Sequence, residues 1–349
     1  MDTITAVLTA DEKENERIFA RAAEIIKRGG LVAFPTETVY GLGASALDAD
    51  AATKIYAAKG RPSDNPLIIH LARAKDASKY AYVNEDFIKL AEKFMPGPVT
   101  AILKKRENIP STVTGGLDSV AVRVPESAVA RRLIELAGVP IAAPSANLSG
   151  KPSPTSARHV IEDLSGRVDM IIDGGDTSIG LESTIVKLDD KSPTLLRPGK
   201  VTLEELTELF GEVKLDRAVT QKLNLGERPL APGMKYRHYA PKASLTLVDA
   251  NDDEYIKYVS DKADSFTAVI ACDEDIKYLL GAGYKEENIL SLGKREDIIS
   301  HGASLFALLR TCDERGFARA YARLPEKKGL SLALYNRIVK AAGYDIIKP

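Results

Sequence analysis

Ile25-Ile26-Lys27-Arg28-Gly29-Gly30-Leu31-Val32-Ala33-Phe34-Pro35 is the stretch that decides the fold. Ahead of it, from about Asp11 to Arg28, the apolar residues Ile18, Ala22, Ile25 and Ile26 recur at helical spacing on one face. The glycine pair stops that helix, because glycine takes the left-handed conformation that closes one without steric cost. Four apolar residues then run to a proline. A run so short, bounded by glycine and proline, reads as a buried strand from Leu31 to Phe34. Helix, turn and buried strand form the repeating unit of an α/β protein.

Reading onward, a polar loop with glycines reaches about Ala49. A helix from about Ala51 to Lys59 leads into a charged, proline-punctuated loop, Gly60 to Pro66, and a strand, Leu67 to Leu71. Helix Glu85 to Phe94 precedes strands Val99 to Leu103 and Ser119 to Val124. In the latter, Val120, Val122 and Val124 alternate with Ala121 and Arg123. If the valines face the core, Arg123 points from the opposite face, where a ligand could sit. Helix Ala128 to Ala137, strand Pro140 to Ala143, helix Thr155 to Leu164, and strands Val168 to Asp173 and Ser183 to Leu188 continue the pattern. Adjacent strands among the alternating units predict a mixed, twisted sheet. Periodicity fades between Gly211 and Lys242, a stretch with Pro229, Pro232 and Pro241 that is too long for an ordinary loop. We read it as an interdomain linker. A second, smaller pattern follows: strand Leu245 to Asp249, helix Asp253 to Ala263, and strands Thr267 to Cys272 and Ile289 to Leu292. Helix Glu296 to Cys312, strand Arg319 to Arg323 and helix Leu330 to Ala342 complete it. That is a Rossmann-like sheet with helices on its faces. The expected division is residues 1–210, a linker at 211–242, and 243–349.

The 349 residues suit two domains, with 44% hydrophobic and 28% charged residues and a formal net charge of -1. Bulk charge gives no footing for non-specific nucleic-acid or membrane binding. Cys272 and Cys312 form no CxxC and read as buried, reduced thiols. His70, His159, His238 and His301 are scattered, so no HExxH-type metal site arises from neighbours. The polar N-terminus lacks the pattern of a signal peptide and no apolar run would span a bilayer, so a cytoplasmic protein is expected.

Candidate chemistry lies in loops. Gly41-Leu42-Gly43-Ala44-Ser45-Ala46 formally matches GxGxxA. The strand ends six residues earlier, however, and no helix opens behind it, so a turn or lining loop fits better than a dinucleotide site. Lys59-Gly60-Arg61-Pro62-Ser63-Asp64-Asn65-Pro66 packs two cations, a hydroxyl and an amide into a stiff loop suited to a polyphosphate. It also reads as a solvated helix C-terminus, where cations are common. Pro144 to Gly150 follows a strand end and offers Ser145, Asn147 and Ser149, either as ligand contacts or as turn formers. Arg197 alone reads as a surface arginine. No Ser/His/Asp triad and no paired carboxylates emerge by spacing, which fits catalysis by positioning and charge neutralisation.

Together these segments resemble the YrdC-like threonylcarbamoyl-AMP synthase family in its longer, two-domain form. The resemblance is carried by Phe34 to Gly43, Lys59 to Leu67, Pro144 to Gly150 and Gly180 to Val186. The long form is marked by Pro232-Gly233-Met234-Lys235-Tyr236-Arg237-His238-Tyr239-Ala240-Pro241 and by Leu324 to Leu330. It implies a YrdC-like catalytic domain joining ATP, L-threonine and bicarbonate into an adenylate, with Mg²⁺ on the ATP phosphates and no metal held by the protein itself. The product would pass to tRNA threonylcarbamoyl transferase machinery. Carried over residue by residue, Lys59 and Arg61 are catalytic. Thr38, His70, Arg123, Ala143 and Ser183 lie on the threonine side, with Arg123 pairing the carboxylate. Arg61, Asn65, Ser119, Ser145, Ser153, Arg197 and Tyr236 lie on the nucleotide side, with Arg237, His238 and Tyr239 near. The linker is expected to act as a lid, held by the second domain. Two readings compete: an RNA-binding module without catalysis, and a nicotinamide-dependent oxidoreductase using the GxGxxA match.

Overall fold

The computed structural model describes residues 2–188, 192–222, 231–232, 238–262 and 264–349. The chain divides into two compact units, Met1–Ser149 with Ser153–Lys235, and Gly150–Pro152 with Tyr236–Pro349.

The first unit opens with a strand that the sequence reading missed, β1 (Ile4–Val7), whose residues alternate in exposure. Helix α1 (Glu12–Lys27) follows, its N-terminus capped by Asp11, which accepts from Lys13 N and Glu14 N. Then come β2 (Val32–Phe34), β3 (Gly41–Ser45), α2 (Ala49–Lys59), β4 (Ile68–His70), α3 (Glu85–Phe94) and β5 (Val99–Lys104). β6 (Ser119–Arg123), α4 (Ala128–Ala137), β7 (Ile141–Ala142), α5 (Ala157–Leu164) and β8 (Met170–Asp173) continue. β9 (Thr184–Lys187), β10 (Thr194–Arg197), α6 (Leu203–Phe210) and β11 (Lys214–Leu215) complete the unit. The sequence reading did not name the last two: α6 opens on a capping box, Thr202 with Glu205, whereas β11 is two residues inside the stretch read as linker.

These strands form one eleven-stranded sheet in the order β1-β8-β2-β3-β7-β4-β6-β5-β9-β10-β11. It is mixed, as expected: β4 pairs parallel with β6, whereas β2/β3, β3/β7 and β5/β6 are antiparallel. Gly41-Leu42-Gly43 lies inside β3, between β2 and β7. This corrects the reading of that segment as a turn or lining loop. Its glycines answer a packing need: a Cβ on Gly43 would stand 2.6 Å from Ile141 Cγ2 and 2.7 Å from Phe34 Cε1.

Alternation along the strands sorts side chains onto two faces. Ala33, Leu42, Ile69, Val99, Ala101, Val120, Val122, Ala142 and Val186 enter one large core cluster. The opposite face carries two smaller clusters. Phe34, Ile141 and Ala143 pack with residues of α1 and α4, while Ile68, Ile102, Ala121, Ile185 and Leu196 pack with Ala218 and Ala231. The valines of β6 therefore face the large core, and Arg123 shares the other face with Ala121.

The second unit contains β12 (Ser244–Val248), α7 (Asp252–Ser260), β13 (Thr267–Ala271), α8 (Asp273–Gly281), β14 (Ile289–Ser291) and α9 (Ile298–Glu314). β15 (Arg319–Arg323), α10 (Ser331–Ala341) and β16 (Ile346–Ile347) follow. Its strands form an all-parallel five-stranded sheet, β14-β13-β15-β12-β16. Cys272 and Cys312 are buried and free, and burial pushes their thiols up to about 11 and about 12. Among the described residues no helix is long and apolar enough to cross a membrane, and no three His, Cys, Asp or Glu side chains stand together to hold a metal ion.

Candidate active site

Among the described residues, the polar ones singled out in the sequence lie on strands of the first sheet and on the loops at their ends. β4 and β6 run in parallel register, with His70 beside Arg123. Both side chains are buried, at 4% exposure each. Arg123 Nη2 donates to Glu37 Oε1 at 2.5 Å, and Glu37 Oε2 accepts from Ser127 N at 3.3 Å. Burial pushes the Glu37 carboxyl upward. The charge of Arg123 and its hydrogen bond, with backbone donors at Glu37 and Glu126, together outweigh burial and hold the carboxyl below its ordinary value. His70 is driven the other way: desolvation first, then the charge of Arg123, push it down to about 3. Its imidazole is therefore neutral, with Nδ1 3.2 Å from Ile68 O.

Thr38 and Ser183 complete this part of the site. Thr38 Oγ1 shares a hydrogen bond of 2.8 Å with Thr36 Oγ1. Ser183 Oγ shares one of 2.8 Å with Thr100 Oγ1 and accepts from Arg197 Nη2 at 3.1 Å. Arg197 is not the surface arginine that its sequence context suggested. It is 5% exposed, and its Nε donates to Ser183 O at 3.0 Å. Ala143 is anchored between strands, its N donating to Ile68 O at 2.9 Å.

The loop Gly60 to Pro66 is stiffened from within. Gly60, in the left-handed conformation at φ 62°, closes α2. Arg61 folds back on its own loop, Nε donating to Asn65 O at 3.3 Å and Nη2 to Pro66 O at 3.2 Å. This loop is thus no mere solvated helix end. Asn65 is buried, and its Oδ1 has no partner among the described residues.

Lys59 is closely held. The residue is 2% exposed, and Nζ donates to Ser145 O at 2.5 Å, to Asn147 O, and to Asn147 Oδ1 at 3.3 Å. The sequence could not reveal this, because the acceptors are mainly backbone carbonyls of a distant loop. Ser149 N returns a bond to Lys59 O at 2.9 Å, and Ser145 Oγ donates to Asn147 Oδ1 at 2.6 Å. Lys59 thus pins the Pro144–Gly150 loop to the end of α2. Ser153 is likewise committed, its Oγ donating to Glu182 Oε1 at 2.5 Å. Ser119 is half-buried at the start of β6. Tyr236 and Arg237 lie outside the described residues.

Comparison with known proteins gives the family. Residues 24–199 match the Sua5/YciO/YrdC family model, described as telomere recombination. Residues 201–343 match the model for the C-terminal domain of threonylcarbamoyl-AMP synthase. The chain belongs to the Sua5/YciO/YrdC family.

Within that family it is similar over its whole length to proteins named threonylcarbamoyl-AMP synthase. The Pyrococcus abyssi protein is 46% identical over 99% of this chain and 100% of its own. The Bacillus subtilis protein is 41% identical over 98% and 97%. The crystal structure of P. abyssi Sua5 complexed with L-threonine superposes with a TM-score of 0.89 at 43% identity, covering 100% of both chains. Family membership explains the motifs, but sequence reasoning missed Glu37, Thr100 and Glu182. Glu37 was legible in principle, as a lone carboxylate between two threonines in an otherwise apolar segment.

Proposed function

We propose that this chain is an L-threonylcarbamoyladenylate synthase, a nucleotidyltransferase that converts L-threonine, bicarbonate and ATP into threonylcarbamoyl-AMP and pyrophosphate. The full-length similarity to named threonylcarbamoyl-AMP synthases carries the reading. The threonine amine attacks the bicarbonate carbon and water leaves, giving an N-carboxylate. An oxygen of that carboxylate attacks the α-phosphorus of ATP, and pyrophosphate departs. The attacking group is already anionic, so positioning and cations matter more than a strong base.

In this reading Arg123 takes the threonine carboxylate. Neutral His70 offers a nitrogen to the substrate hydroxyl, and Thr38, Ala143 and Ser183 shape the pocket. Arg61, Asn65, Ser119, Ser145, Ser153 and Arg197 serve the nucleotide, with Tyr236 contributing from the linker. Lys59 acts through the loop it pins, setting the Ser145 and Asn147 backbone for the phosphates. Mg²⁺ would arrive on the ATP phosphates and supply further charge neutralisation. This donor set of cations, amides and hydroxyls suits phosphate better than a bare metal. The work would take place in the cytoplasm, upstream of the transferase machinery that modifies tRNA. Incubation with ATP, threonine and ¹³C-bicarbonate tests the proposal: an adenylate carrying the label is expected, and AMP or ADP with no labelled adenylate would contradict it.

A further inference from the structure

The Arg123 fork is only half used. Glu37 holds Nη2 at 2.5 Å, whereas Nε is buried and has no partner among the described residues. A buried donor left unmade is costly, and a ligand acceptor would relieve the cost. Glu37 itself is buried, at 8% exposure. Its backbone is held independently of its side chain: Ile179 N donates to Glu37 O at 2.9 Å and Ser178 Oγ at 3.3 Å. The carboxylate adds backbone bonds of its own at Glu37 and at the 126–127 turn, so it is fixed in place where it meets Arg123.

Charge counting gives a second argument. Arg123 and Glu37 form an ion pair with both side chains buried. Around them stand the neutral His70 imidazole, the Thr36 and Thr38 hydroxyls and Ser127; a further buried cation, Arg197, reaches this side through Ser183 and Thr100, the cross-strand partner of Arg123, and is assigned above to the nucleotide. The pair as a unit carries no net charge. A buried site tolerates added net charge poorly. A simple carboxylate would bring one uncompensated negative charge. An amino acid brings a carboxylate and an ammonium together.

We propose that Glu37 is the positioning and specificity residue of the amino-acid pocket. It holds one edge of Arg123 so that the Nε edge meets a substrate carboxylate, and its charge balances the guanidinium so that a zwitterion is taken in preference to a simple carboxylic acid. The inference rests on Arg123 being the carboxylate clamp of the function proposed above.

The test is calorimetric titration of the full chain with L-threonine, with 3-hydroxybutanoate (the same skeleton without the amine), and with ATP. Glu37→Gln keeps the shape and a carbonyl acceptor but removes the charge. We expect threonine affinity to fall by about tenfold, the scale of one weakened charge-assisted hydrogen bond. Affinity for 3-hydroxybutanoate should rise, and ATP affinity should stay unchanged. Glu37→Asp, which retains the charge, should restore the preference for threonine even if both ligands bind more weakly, and it serves if the glutamine variant fails to fold. An unchanged ratio of the two affinities, with both kept or both lost alike, would overturn the proposal and leave Glu37 a structural residue. Failure of the unaltered chain to bind threonine would instead remove the functional reading, and this inference with it.

Discussion

At the scale of single residues, two buried groups make opposite demands. Lys59 is a cation whose partners are carbonyls. Lys59→Met would leave Ser145 O and Asn147 O without their donor, at about 1–3 kcal/mol for each unsatisfied group. We expect a lower denaturation midpoint and a raised KM for ATP with little change in KM for threonine; Lys59→Arg should recover part of the stability. Equal loss on both substrates would contradict a role exercised through the 144–150 loop. His70 is the reverse case, a base kept neutral. Its folded-state pKa lies far below its ordinary value, so the unfolded chain binds the proton more readily. Its contribution is neutral above about pH 6.5, and stability is lost as pH falls from there toward 3. The slope is at most about 1.4 kcal/mol per pH unit. His70→Gln should therefore gain stability relative to the parent as pH drops through this window, which unfolding at several pH values would reveal. Parallel curves for the two proteins would exclude the linkage.

At the scale of elements, the sequence was read well wherever one period ran long enough. Helices α3 and α4 and strand β15 fall at the expected residues, because their apolar spacing is unbroken and their ends carry turn residues. Short elements were lost. The two-residue β11 and β16 are fixed by neighbouring strands rather than by their own pattern. β3 was misread because glycine is a turn signal in isolation, yet Gly43 serves a close cross-strand approach. Gly43→Ala should cost about 1–3 kcal/mol by overpacking against Phe34 and Ile141, without altering the secondary structure measured by circular dichroism. The site was legible as residue types but not as partners: Arg123 and Lys59 were singled out, whereas Glu37 and the carbonyls that hold Lys59 were not. In the second unit Tyr239 adopts a positive φ of 63°. Its ring stacks on Phe306 at 5.0 Å, with the Arg337 guanidinium 5.9 Å away. Such a conformation in a non-glycine residue persists only where packing enforces it. Phe306→Ala, which removes that support and a fully buried ring, should cost about 3–5 kcal/mol in chemical denaturation.

At the scale of the whole molecule, the proposed site is built from buried, neutralised charges rather than from a nucleophile and its base. Ligands that complete such a site should stabilise the folded chain. ATP with Mg²⁺ or threonine at about 100 times its dissociation constant should contribute about 2.7 kcal/mol, whereas NAD and plain RNA should shift the melting temperature little. The measurement that tests the central claim most directly is pyrophosphate release from ATP and Mg²⁺, with threonine and bicarbonate added separately and then together. Release only when both are present, with an adenylate of matching mass, is the predicted result. Release that ignores threonine, or none under any combination, would contradict the assignment.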